Sequence, residues 1–461
     1  MLLKGLKAFY EGTFWLRDIA DRRKIARCSR TDLEASLTRR FRETAAFAIQ
    51  HAPHFANIAA TNQIDPTRCS PQDFPELTKH TLIHDFDRIV TEPALSQARI
   101  TEFFDRSHDP CELLDDRFHV LRTSGSTGTP GYTAFTPREW IRGCSSQFRV
   151  MPGLRIRKRL AFVGVTSHHF AGVSLALTGR RGMNRLFYDS RAFDINSPTG
   201  EIVRQLNEFQ PHVLSGYANV LMMLAHEQRA GRLRIQPRFV CSSGEVMRPN
   251  VRQELEATFP APIVDMYSSS ETLFMGAATS SQGFTLFEDD FIFEIFPTHL
   301  LVTNVFNRTV PLIRYRIDDV LIACEPVSDS PFRRISHVAG RNDQPFSLRN
   351  NDGQLELIPP LALIYLPIPE VSGLQVVIVS DRELIFRVLL DSQFKFNLTA
   401  RQQMLAEIEA GLRGWLTHKR LEQSVRFRVD ATTPLQLDPI SSKARLILVE
   451  SETRSVFPKA A

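Results

Sequence analysis

Between residues 160 and 271 the sequence alternates short apolar segments with helical segments, and this alternation limits the fold more than any other feature. Four segments have the length and apolar content of buried strands: LAFVGV (160–165), HVLSGY (212–217), RFVCSSG (238–244) and APIVDMYSSSE (261–271). The residues between them contain helical patterns at 200–211, 219–231 and 250–259. Strands that alternate with helices of this length predict an α/β fold, in which helices cover the faces of a mostly parallel sheet.

Polar residues follow each of these predicted strands at its carboxyl end. The loops at these ends read SHHFAG (167–172), SGYAN (215–219), SSGEV (242–246) and YSSSE (267–271). Because open parallel sheets bind ligands at the carboxyl ends of their strands, we expect the chemistry of this protein along one edge of the sheet.

The sequence changes character twice after this region. From about residue 288, four short apolar segments indicate antiparallel strands: FIFEIF, HLLVTNVF, VPLIRYRI and VLIACE. The polar and turn-rich stretch 338–354 then precedes a final module with strand-like segments and one long helix. We expect a large N-terminal domain of mostly parallel sheets flanked by helices plus a β-subdomain, residues 1–340, and a small α+β C-terminal domain, residues 341–461.

Composition narrows the class of protein. Of the 461 residues, 43% are hydrophobic and 23% are charged, as is typical of a soluble globular chain. No apolar run approaches the roughly 18 residues of a membrane span. The six cysteines are scattered, which argues against a paired-cysteine zinc site or a disulfide framework and favours a reducing cytoplasm. The densest basic run, RIRKR at 155–159, is short and lacks aromatic neighbours, so we expect no nucleic-acid partner.

The hydroxyl-rich stretch TSGSTGTPG at 123–131 follows directly after an apolar segment. It lacks the lysine and the terminal GKS or GKT of a Walker A loop, and the spacing around Ser126 differs from that of a nucleophile elbow. Its backbone N–H groups and hydroxyls are suited to polyphosphate oxygens. A structural turn is the alternative, and the stretch by itself leaves both interpretations open.

Six short motifs occur in order between residues 115 and 450. They are TSGSTGTP (123–130), SSGEV (242–246), DMYSSSE (265–271), RYRIDDV (314–320), GRNDQ (340–344) and SSKARLI (441–447). Together they resemble the motifs of the adenylate-forming superfamily, which includes acyl-CoA synthetases, adenylation domains and luciferases. Within it the chain most resembles phenylacetate-CoA ligase and its shorter relatives. Ser268 departs from the family pattern, which usually has glycine at this position.

The resemblance implies that the chain binds ATP. The phosphate loop would consist of Thr123, Ser124, Gly125, Ser126, Thr127 and Gly128. The residues around adenine would be Ser243, Gly244, Glu245, Asp265, Met266 and Tyr267. Of these, Tyr267 would stack on the ring. Asp319 would accept the ribose hydroxyls, with Asp318 as the competing candidate, and Arg341 would reach the ribose or a phosphate.

The resemblance also implies catalytic roles. Glu271 would help to hold Mg²⁺, and Ser270 would hydrogen-bond the α-phosphate. Lys443, on a small mobile C-terminal domain, would bridge the attacking carboxylate and the α-phosphate, and loss of such a donor typically costs on the order of 10²–10³ in rate. Asp343 would be the hinge of that domain. For Lys443 the alternative is a solvated surface lysine, and for Asp343 it is an ordinary linker turn.

The loop after the first parallel strand would shape a pocket for the acid substrate. His168, His169 and Phe170 are the predicted substrate-contacting residues of this loop, and Gly216 and Tyr217 are further walls. A histidine in a loop is more often a hydrogen-bonded bystander, and that alternative stays open. An aromatic acid fits the branch, and neither a fatty acid nor an amino acid is excluded.

We therefore expect an ATP-dependent, AMP-forming ligase that activates a small carboxylic acid as acyl-AMP and transfers it to coenzyme A. Transfer to a carrier-protein thiol or to an amine is the nearest alternative. A non-catalytic nucleotide-binding homologue is the alternative from another class. The expected location is the cytoplasm, and a homodimer is compatible with the resemblance.

Overall fold

The computed structural model describes most of the chain. The described residues are 2–122, 131–151, 158–166, 169–180, 184–195, 197, 199–244, 247, 249–280, 283–324, 330–341, 346–353, 355–358, 363, 366–369, 371–390, 394, 397–437 and 445–449. The chain divides into two compact units, one of residues 1–317 with 321–338 and the other of residues 318–320 with 339–461.

Most of the helices belong to the first unit. Its described helices are α1 (Leu2–Ile25), α2 (Arg30–His51), α3 (Pro53–Asn62), α4 (Lys79–His84), α5 (Phe86–Ile89), α6 (Gln97–Arg106), α7 (Pro137–Ser145), α8 (Ala171–Leu177), α9 (Asn184–Phe187), α10 (Thr199–Phe209), α11 (Ala218–Arg229) and α12 (Pro249–Thr258). Short 3₁₀ helices lie at Pro71–Asp73, Ser146–Arg149 and Thr178–Arg180. Within the described part of the chain, no helix combines the length and the apolar character that crossing a membrane requires.

The first unit also contains most of the described strands. Its strands are β1 (His119–Arg122), β2 (Tyr132–Phe135), β3 (Lys158–Gly164), β4 (Tyr188–Asp194), β5 (Val213–Gly216), β6 (Phe239–Ser243), β7 (Ile263–Ser269), β8 (Leu273–Ala278), β9 (Phe284–Leu286), β10 (Phe291–Ile295), β11 (Leu300–Asn304) and β12 (Tyr315–Ile317). The next two, β13 (Asp319–Ala323) and β14 (Arg334–Arg341), contribute residues to both units.

The described strands of the main sheet follow the order β13–β14–β9–β8–β7–β6–β5–β3–β4. The strands β4, β3, β5, β6 and β7 run parallel. In contrast, β7–β8, β8–β9 and β9–β14 are antiparallel pairs. The predicted α/β fold, with a large parallel-rich sheet flanked by helices, is confirmed.

The order of the parallel strands reverses at β3. The chain passes from β3 to β4 on one side and returns to β5 on the other side. The register pairs Val163 with Gly216 and Gly216 with Ser242, so the carboxyl ends of β3, β5 and β6 lie level. A reversal of this kind leaves a crevice outside the carboxyl ends of the strands, which is where open α/β sheets bind ligands.

Packing against helices fixes these strand ends. Leu206 of α10 and Leu221 and Leu224 of α11 are fully buried in one cluster with Leu214 of β5 and Val240 of β6. Burial of one such side chain stabilises the fold by about 1.5–3 kcal/mol. The parallel strands are therefore held as a rigid support for the loops at their carboxyl ends.

Two smaller β structures complete the first unit. The strands β1 and β2 form an antiparallel hairpin, and β10, β11 and β12 form an antiparallel three-stranded sheet. The segments FIFEIF, HLLVTNVF and VPLIRYRI are thus strands in antiparallel pairs, as their sequences predict.

The second unit has an α+β organisation. Its described elements are β15 (Phe346–Arg349), β16 (Leu355–Ile358), β17 (Gly373–Ser380), β18 (Glu383–Leu389), α13 (Leu398–His418), β19 (Arg426–Asp430) and β20 (Ile447–Val449). Four strands form a sheet in the order β19–β18–β17–β20. The core contains Val376 and Phe386 from the sheet and Ile408 and Leu412 from α13, all fully buried.

Candidate functional site

The ends of the parallel strands bring together residues that the sequence assigns to nucleotide and substrate binding. Gly216 ends β5, Ser243 ends β6, and Met266 and Tyr267 belong to the last part of β7. Ser243 pairs with Met266, so these residues lie at one level, which we call the carboxyl edge. The β7–β8 register shifts between Tyr267 and Ser268, at the position where the family usually has glycine.

Two positions of the carboxyl edge require glycine, one because a neighbouring strand lies close to it and one because of its backbone conformation. A Cβ on Gly216 would lie 2.8 Å from the carbonyl oxygen of Val163 in the neighbouring strand β3. Gly244, directly after β6, has a φ of +80°, in the left-handed region that favours glycine. Glycine is therefore required by the local structure at both positions.

The turn between β7 and β8 contains Ser270 and Glu271. Ser269 and Thr272 close this turn, because the Thr272 N–H donates to Ser269 Oγ at 3.2 Å and the two hydroxyl oxygens lie 2.9 Å apart. Leu273 follows with a φ of +63°, which is uncommon for a residue other than glycine and persists only where packing enforces it. The turn thus has a defined shape, with Ser270 half-buried and Glu271 buried.

Glu271 provides the carboxylate that is predicted to hold Mg²⁺. The residue is 8% exposed, and the Tyr315 hydroxyl donates a hydrogen bond to its Oε1 at 3.1 Å. Tyr315 lies in β12 and is itself buried. Sequence reasoning assigned no role to Tyr315, although it stands inside the RYRIDDV motif. The sequence feature that could have indicated a role is a tyrosine between two arginines. A tyrosine hydroxyl usually finds a hydrogen-bond partner when it is buried.

The two arginines of the same motif anchor β12. Arg314 binds Glu294 through two hydrogen bonds, from Nε at 3.0 Å and from Nη2 at 3.2 Å. Arg316 Nη1 lies 3.5 Å from a carboxylate oxygen of Glu76. These contacts hold the strand that presents Tyr315 to Glu271.

A small hydrophobic cluster joins the β1–β2 hairpin to the β7–β8 turn. Leu121, Trp140 and Leu273, from β1, α7 and β8, are at most 1% exposed and belong to this cluster. A Cβ on Gly143 of α7 would collide with Leu273 Cδ1, so α7 packs directly on the start of β8. The hairpin is therefore held beside the turn that carries Glu271.

This hairpin flanks the predicted phosphate loop. Residues Thr123, Ser124, Gly125, Ser126, Thr127 and Gly128 lie outside the described residues, whereas the pair Arg122–Tyr132 at the base of the loop is described. The Arg122 N–H donates to the carbonyl oxygen of His169 at 3.0 Å. One end of the predicted phosphate loop is thus bonded to the loop that follows β3.

His169 is a core residue in this structure. Its side chain is 1% exposed, and its ring lies 4.9 Å from that of Phe103 and 5.0 Å from that of Phe104, between ring centroids. Its Nε2 is 3.3 Å from the hydroxyl of Ser107. This is the arrangement of a hydrogen-bonded histidine packed against α6, the alternative that the sequence left open. Phe170, the next residue, precedes α8 and is half-buried.

Tyr217 lies at the crevice next to β3. It is half-buried and precedes α11, and its ring contacts that of Phe162 edge to face with centroids 6.2 Å apart. A Cβ on Gly164 would lie 2.7 Å from the Phe162 ring and 3.3 Å from the Tyr217 ring. The aromatic pair therefore fills the space beside Gly164 at the end of β3.

Two polar groups lie buried beneath the carboxyl edge. Ser242 and Asp265 are directly paired on β6 and β7 and are 0% and 5% exposed. Burial raises the pKa of Asp265 to about 7, and the positive charge of Arg252 opposes this rise. The Ser242 hydroxyl finds no hydrogen-bond partner among the described residues. Buried polar groups without partners are uncommon, and such groups beside a crevice suit a polar ligand.

His168, Glu245, Asp343 and Lys443 lie outside the described residues, as does the side chain of Arg341. Asp319 begins β13 in the second unit and is 9% exposed. The described part of the predicted site is therefore the carboxyl edge with the β7–β8 turn.

The chain is similar in sequence to one curated protein over a limited stretch. It is 25% identical over 154 residues to "Protein CapK" of Staphylococcus aureus. The alignment covers 31% of this chain and 34% of that relative, so it spans about a third of the relative's length.

Solved structures resemble the chain over most of its length. The structure of 2-hydroxyisobutyryl-CoA ligase in the postadenylation state with 2-HIB-AMP has a TM-score of 0.70 and 19% identity, covering 93% of this chain and 92% of that chain. The same enzyme with 2-HIB-AMP and CoA in the thioesterification state has a TM-score of 0.56 and 19% identity, covering 93% and 91%. At these identities the similarity establishes a shared fold.

The family is established by sequence. The family described as "AMP-binding enzyme" matches residues 41–290, which is more than half of the 461 residues. The match includes β1 to β9 and therefore the whole carboxyl edge and the β7–β8 turn. The chain belongs to the AMP-binding enzyme family.

Proposed function

We propose that the chain is an AMP-forming ligase that joins a carboxylic acid to the α-phosphate of ATP and then passes the acyl group to the thiol of coenzyme A. The acid is small, and an aromatic acid fits the resemblance to the phenylacetate-CoA ligase branch. Membership of the AMP-binding family supports the nucleotide. The fold shared with a structurally known acyl-CoA ligase is compatible with the acceptor.

One observation carries the proposal. The described parts of three separate motifs, SSGEV, DMYSSSE and RYRIDDV, meet at the carboxyl edge, with Tyr315 bonded to the buried Glu271. These motifs occupy separate stretches of the sequence, and together they contribute an aromatic ring, hydroxyls and a carboxylate at one sheet edge. An adenine ring, a phosphate chain and a cation need these groups together.

The residues present fit Mg²⁺ bound together with a nucleotide. Glu271 offers a carboxylate oxygen, the hard ligand that Mg²⁺ prefers, and its other oxygen is fixed by Tyr315. The described residues contain no group of three or more His, Cys, Asp or Glu side chains that could hold a metal ion. Mg²⁺ commonly binds through one or two carboxylates plus substrate phosphates. Bound in this way, the cation would neutralise charge on the phosphates.

In this proposal, different described residues bind the adenine ring and the α-phosphate of ATP. Tyr267 stacks on adenine, and Ser243 and Gly244 form the facing wall. Ser270 donates its hydroxyl to the α-phosphate. Ser242 and Asp265 offer polar groups beneath the base, where Ser242 has no partner among the described residues.

The chemistry proceeds in two balanced steps. A carboxylate oxygen attacks the α-phosphorus, the bond from that phosphorus to the bridging oxygen breaks, and pyrophosphate leaves with the electron pair. The thiolate of coenzyme A then attacks the acyl carbon, and AMP leaves as the thioester forms. Both reactants of the first step are anions, so cationic groups that meet the growing charge contribute most.

The remaining roles belong to the same proposal. The phosphate loop is Thr123–Gly128, Asp319 accepts the ribose hydroxyls, and Arg341 reaches the ribose or a phosphate. Residues 1–340 bind ATP and acid, and residues 341–461 deliver Lys443 to the carboxylate and the α-phosphate. Asp343 is the hinge between them.

A screen of acids tests the proposal. Pyrophosphate release from Mg·ATP is measured with a panel of aryl and alkyl acids, with coenzyme A, a holo carrier protein or amines supplied in parallel. We expect release that depends on one class of acid and repeated turnover only with coenzyme A. Turnover only with a carrier protein or an amine would replace the acceptor, and ATP binding without acid-dependent release would reject the ligase.

A further inference from the structure

Gln375 is buried in the middle of β17, and its amide is fully hydrogen-bonded. The residue is 0% exposed. Its Nε2 donates to the carbonyl oxygens of Gln436 and Arg445, both at 3.0 Å. Its Oε1 accepts from the Gln436 N–H at 3.0 Å and from Arg387 Nη1 at 3.3 Å. One side chain thus uses both of its N–H groups and both of its acceptor positions.

The two backbone partners of this amide flank the segment that carries Lys443. Gln436 lies 61 positions from Gln375 along the chain, and Arg445 lies 70 positions away. Arg445 is two residues after Lys443. Gln375 therefore ties both ends of this segment, residues 436–445, to the same point of the sheet.

Neighbouring contacts hold the same two ends. On the first side, the Thr432 and Thr433 N–H groups donate to Asp430 Oδ1 at 2.9 and 3.0 Å, and a Cβ on Gly373 would lie 2.6 Å from Leu435 Cδ1. On the second side, the Val376 N–H donates to the carbonyl oxygen of Leu446 at 2.7 Å. We call the four hydrogen bonds of the Gln375 amide the clamp. The residues next to it on both sides have defined contacts of their own.

We propose that Gln375 is a positioning residue for Lys443, acting through the two ends of residues 436–445. The inference rests on the proposed function, because Lys443 has a reaction to serve only if the chain adenylates an acid. A lysine that must meet a carboxylate and a phosphate at once depends on the placement of its backbone, and a displacement of about 1 Å can cost on the order of 10²-fold in rate. The buried amide holds the described residues Gln436 and Arg445 on either side of Lys443 without touching the substrates.

Hydrogen exchange tests the clamp without reference to activity. In the full-length chain, Gln375→Met keeps the size of the side chain and removes all four hydrogen bonds. We expect faster exchange of the Gln436 amide, which donates to Gln375 Oε1, and unchanged exchange within the β17–β18 pair. The matched control is Gln403→Met on α13, where the glutamine amide is exposed and bonds only to Glu407 among its described hydrogen-bond partners.

Kinetics then test positioning. We expect Gln375→Met to lower the kcat of acid-dependent pyrophosphate exchange by about 10- to 100-fold, with the KM for ATP changed less than about twofold. Transfer to coenzyme A from a chemically supplied acyl-adenylate should keep its wild-type rate, because the bond that Lys443 serves is already formed. A general loss of folded protein would lower both reactions together.

The outcomes separate the inference from the proposed function. Faster Gln436 exchange together with a selective loss of the first reaction supports the inference. Unchanged exchange, unchanged kinetics, or an equal loss in both reactions overturns it. If the wild-type chain shows no acid-dependent pyrophosphate exchange with any acid, the proposed function fails and positioning fails with it, while Gln436 exchange still decides whether the clamp exists. Should Gln375→Met not fold, Gln375→Glu retains the acceptor and loses both donors.

Discussion

Two groups of buried acids in the first unit differ in how completely their charges are paired. Arg22 of α1 forms ion pairs with Asp18, Asp289 and Asp290 at 3.0, 3.0 and 2.7 Å. Arg142 of α7 adds a further pair to Asp290 at 2.8 Å. Burial alone would raise the pKa of Asp290, but the surrounding arginines hold it below its ordinary value. We call this group the arginine–aspartate network.

The carboxyl edge is the opposite case. Asp265 has the positive charge of Arg252 nearby and forms no ion pair with a described residue, and burial raises its pKa. Ser242 beside it lacks a hydrogen-bond partner among the described residues. Asp18, Asp289 and Asp290 of the network are each ion-paired to an arginine, whereas Asp265 at the edge has no such pair among the described residues. Ion pairing of the buried acids therefore distinguishes the arginine–aspartate network from the carboxyl edge.

Removing one acid of the network should have the largest effect. Asp290→Asn removes one of the buried counter-charges shared by Arg22 and Arg142, and breaking a buried pair in this way typically costs about 3–5 kcal/mol. We expect a loss of that size in the free energy of unfolding, measured by urea denaturation. Glu208→Gln is the control, because its pair with Arg204 is exposed and is worth less than about 1 kcal/mol. Equal effects of the two substitutions would remove the distinction between the regions.

Glu271→Gln should act on activity and leave stability nearly unchanged. The amide keeps an oxygen for the Tyr315 hydroxyl but loses the charge that we propose holds Mg²⁺. We expect kcat/KM for Mg·ATP in pyrophosphate release to fall on the order of 10²–10³-fold. Urea denaturation of the same variant should stay within about 1 kcal/mol of wild type. Wild-type kinetics would reject Glu271 as the metal ligand.

Asp265→Asn should stabilise the protein at alkaline pH. The folded pKa of about 7 lies above the ordinary value of 3.8, so the folded protein retains a proton that the unfolded chain releases. Stability is therefore greatest below the unfolded value, falls as pH rises between the two values, and is lowest above the folded value. The gap between the two pKa values sets an upper limit of about 4 kcal/mol, and we expect about half of it because a buried amide needs partners of its own.

The measurement for this variant is the difference in unfolding free energy between Asp265→Asn and wild type across pH. The difference should be largest at pH values above the folded pKa and should shrink as the pH is lowered through the window. A difference that does not change with pH would show that Asp265 is already charged and solvated in the folded protein.

Tyr315→Phe should have the smallest effect of the four. It removes one hydrogen bond to Glu271, and such bonds contribute about 0.5–1.5 kcal/mol, or roughly 2- to 10-fold in rate. The check is kcat/KM for Mg·ATP in the single variants and in the double variant with Glu271→Gln. The two effects should not add, because the hydroxyl acts through the carboxylate. Full additivity would separate Tyr315 from the site.

The layout of the site could be predicted from the sequence, because it depends on local patterns. Apolar runs between helical segments predict parallel strands, and parallel strands place their carboxyl ends at one sheet edge. That logic predicts the polar loops along one edge of the sheet, where Ser243 of β6 pairs with Met266 of β7. The predicted phosphate loop could be followed only to its base at Arg122, where the chain is bonded to His169.

Side-chain partnerships between remote residues could not be predicted in this way. The bond from Tyr315 to Glu271 and the four bonds of Gln375 join elements that only tertiary packing brings together. For the same reason a loop histidine such as His169 gave no sign that its ring packs against α6. Hydrophobic periodicity reports which face of an element is buried, and it carries no information about which polar atom on another element that face will meet.

Oxygen-18 transfer tests the central claim most directly. An acid labelled with oxygen-18 in its carboxylate is supplied with Mg·ATP and coenzyme A, and the released AMP is analysed by mass spectrometry. Attack of the carboxylate on the α-phosphorus predicts that each AMP carries one labelled oxygen. Turnover that yields unlabelled AMP, or no AMP with any acid that binds, would contradict the claim.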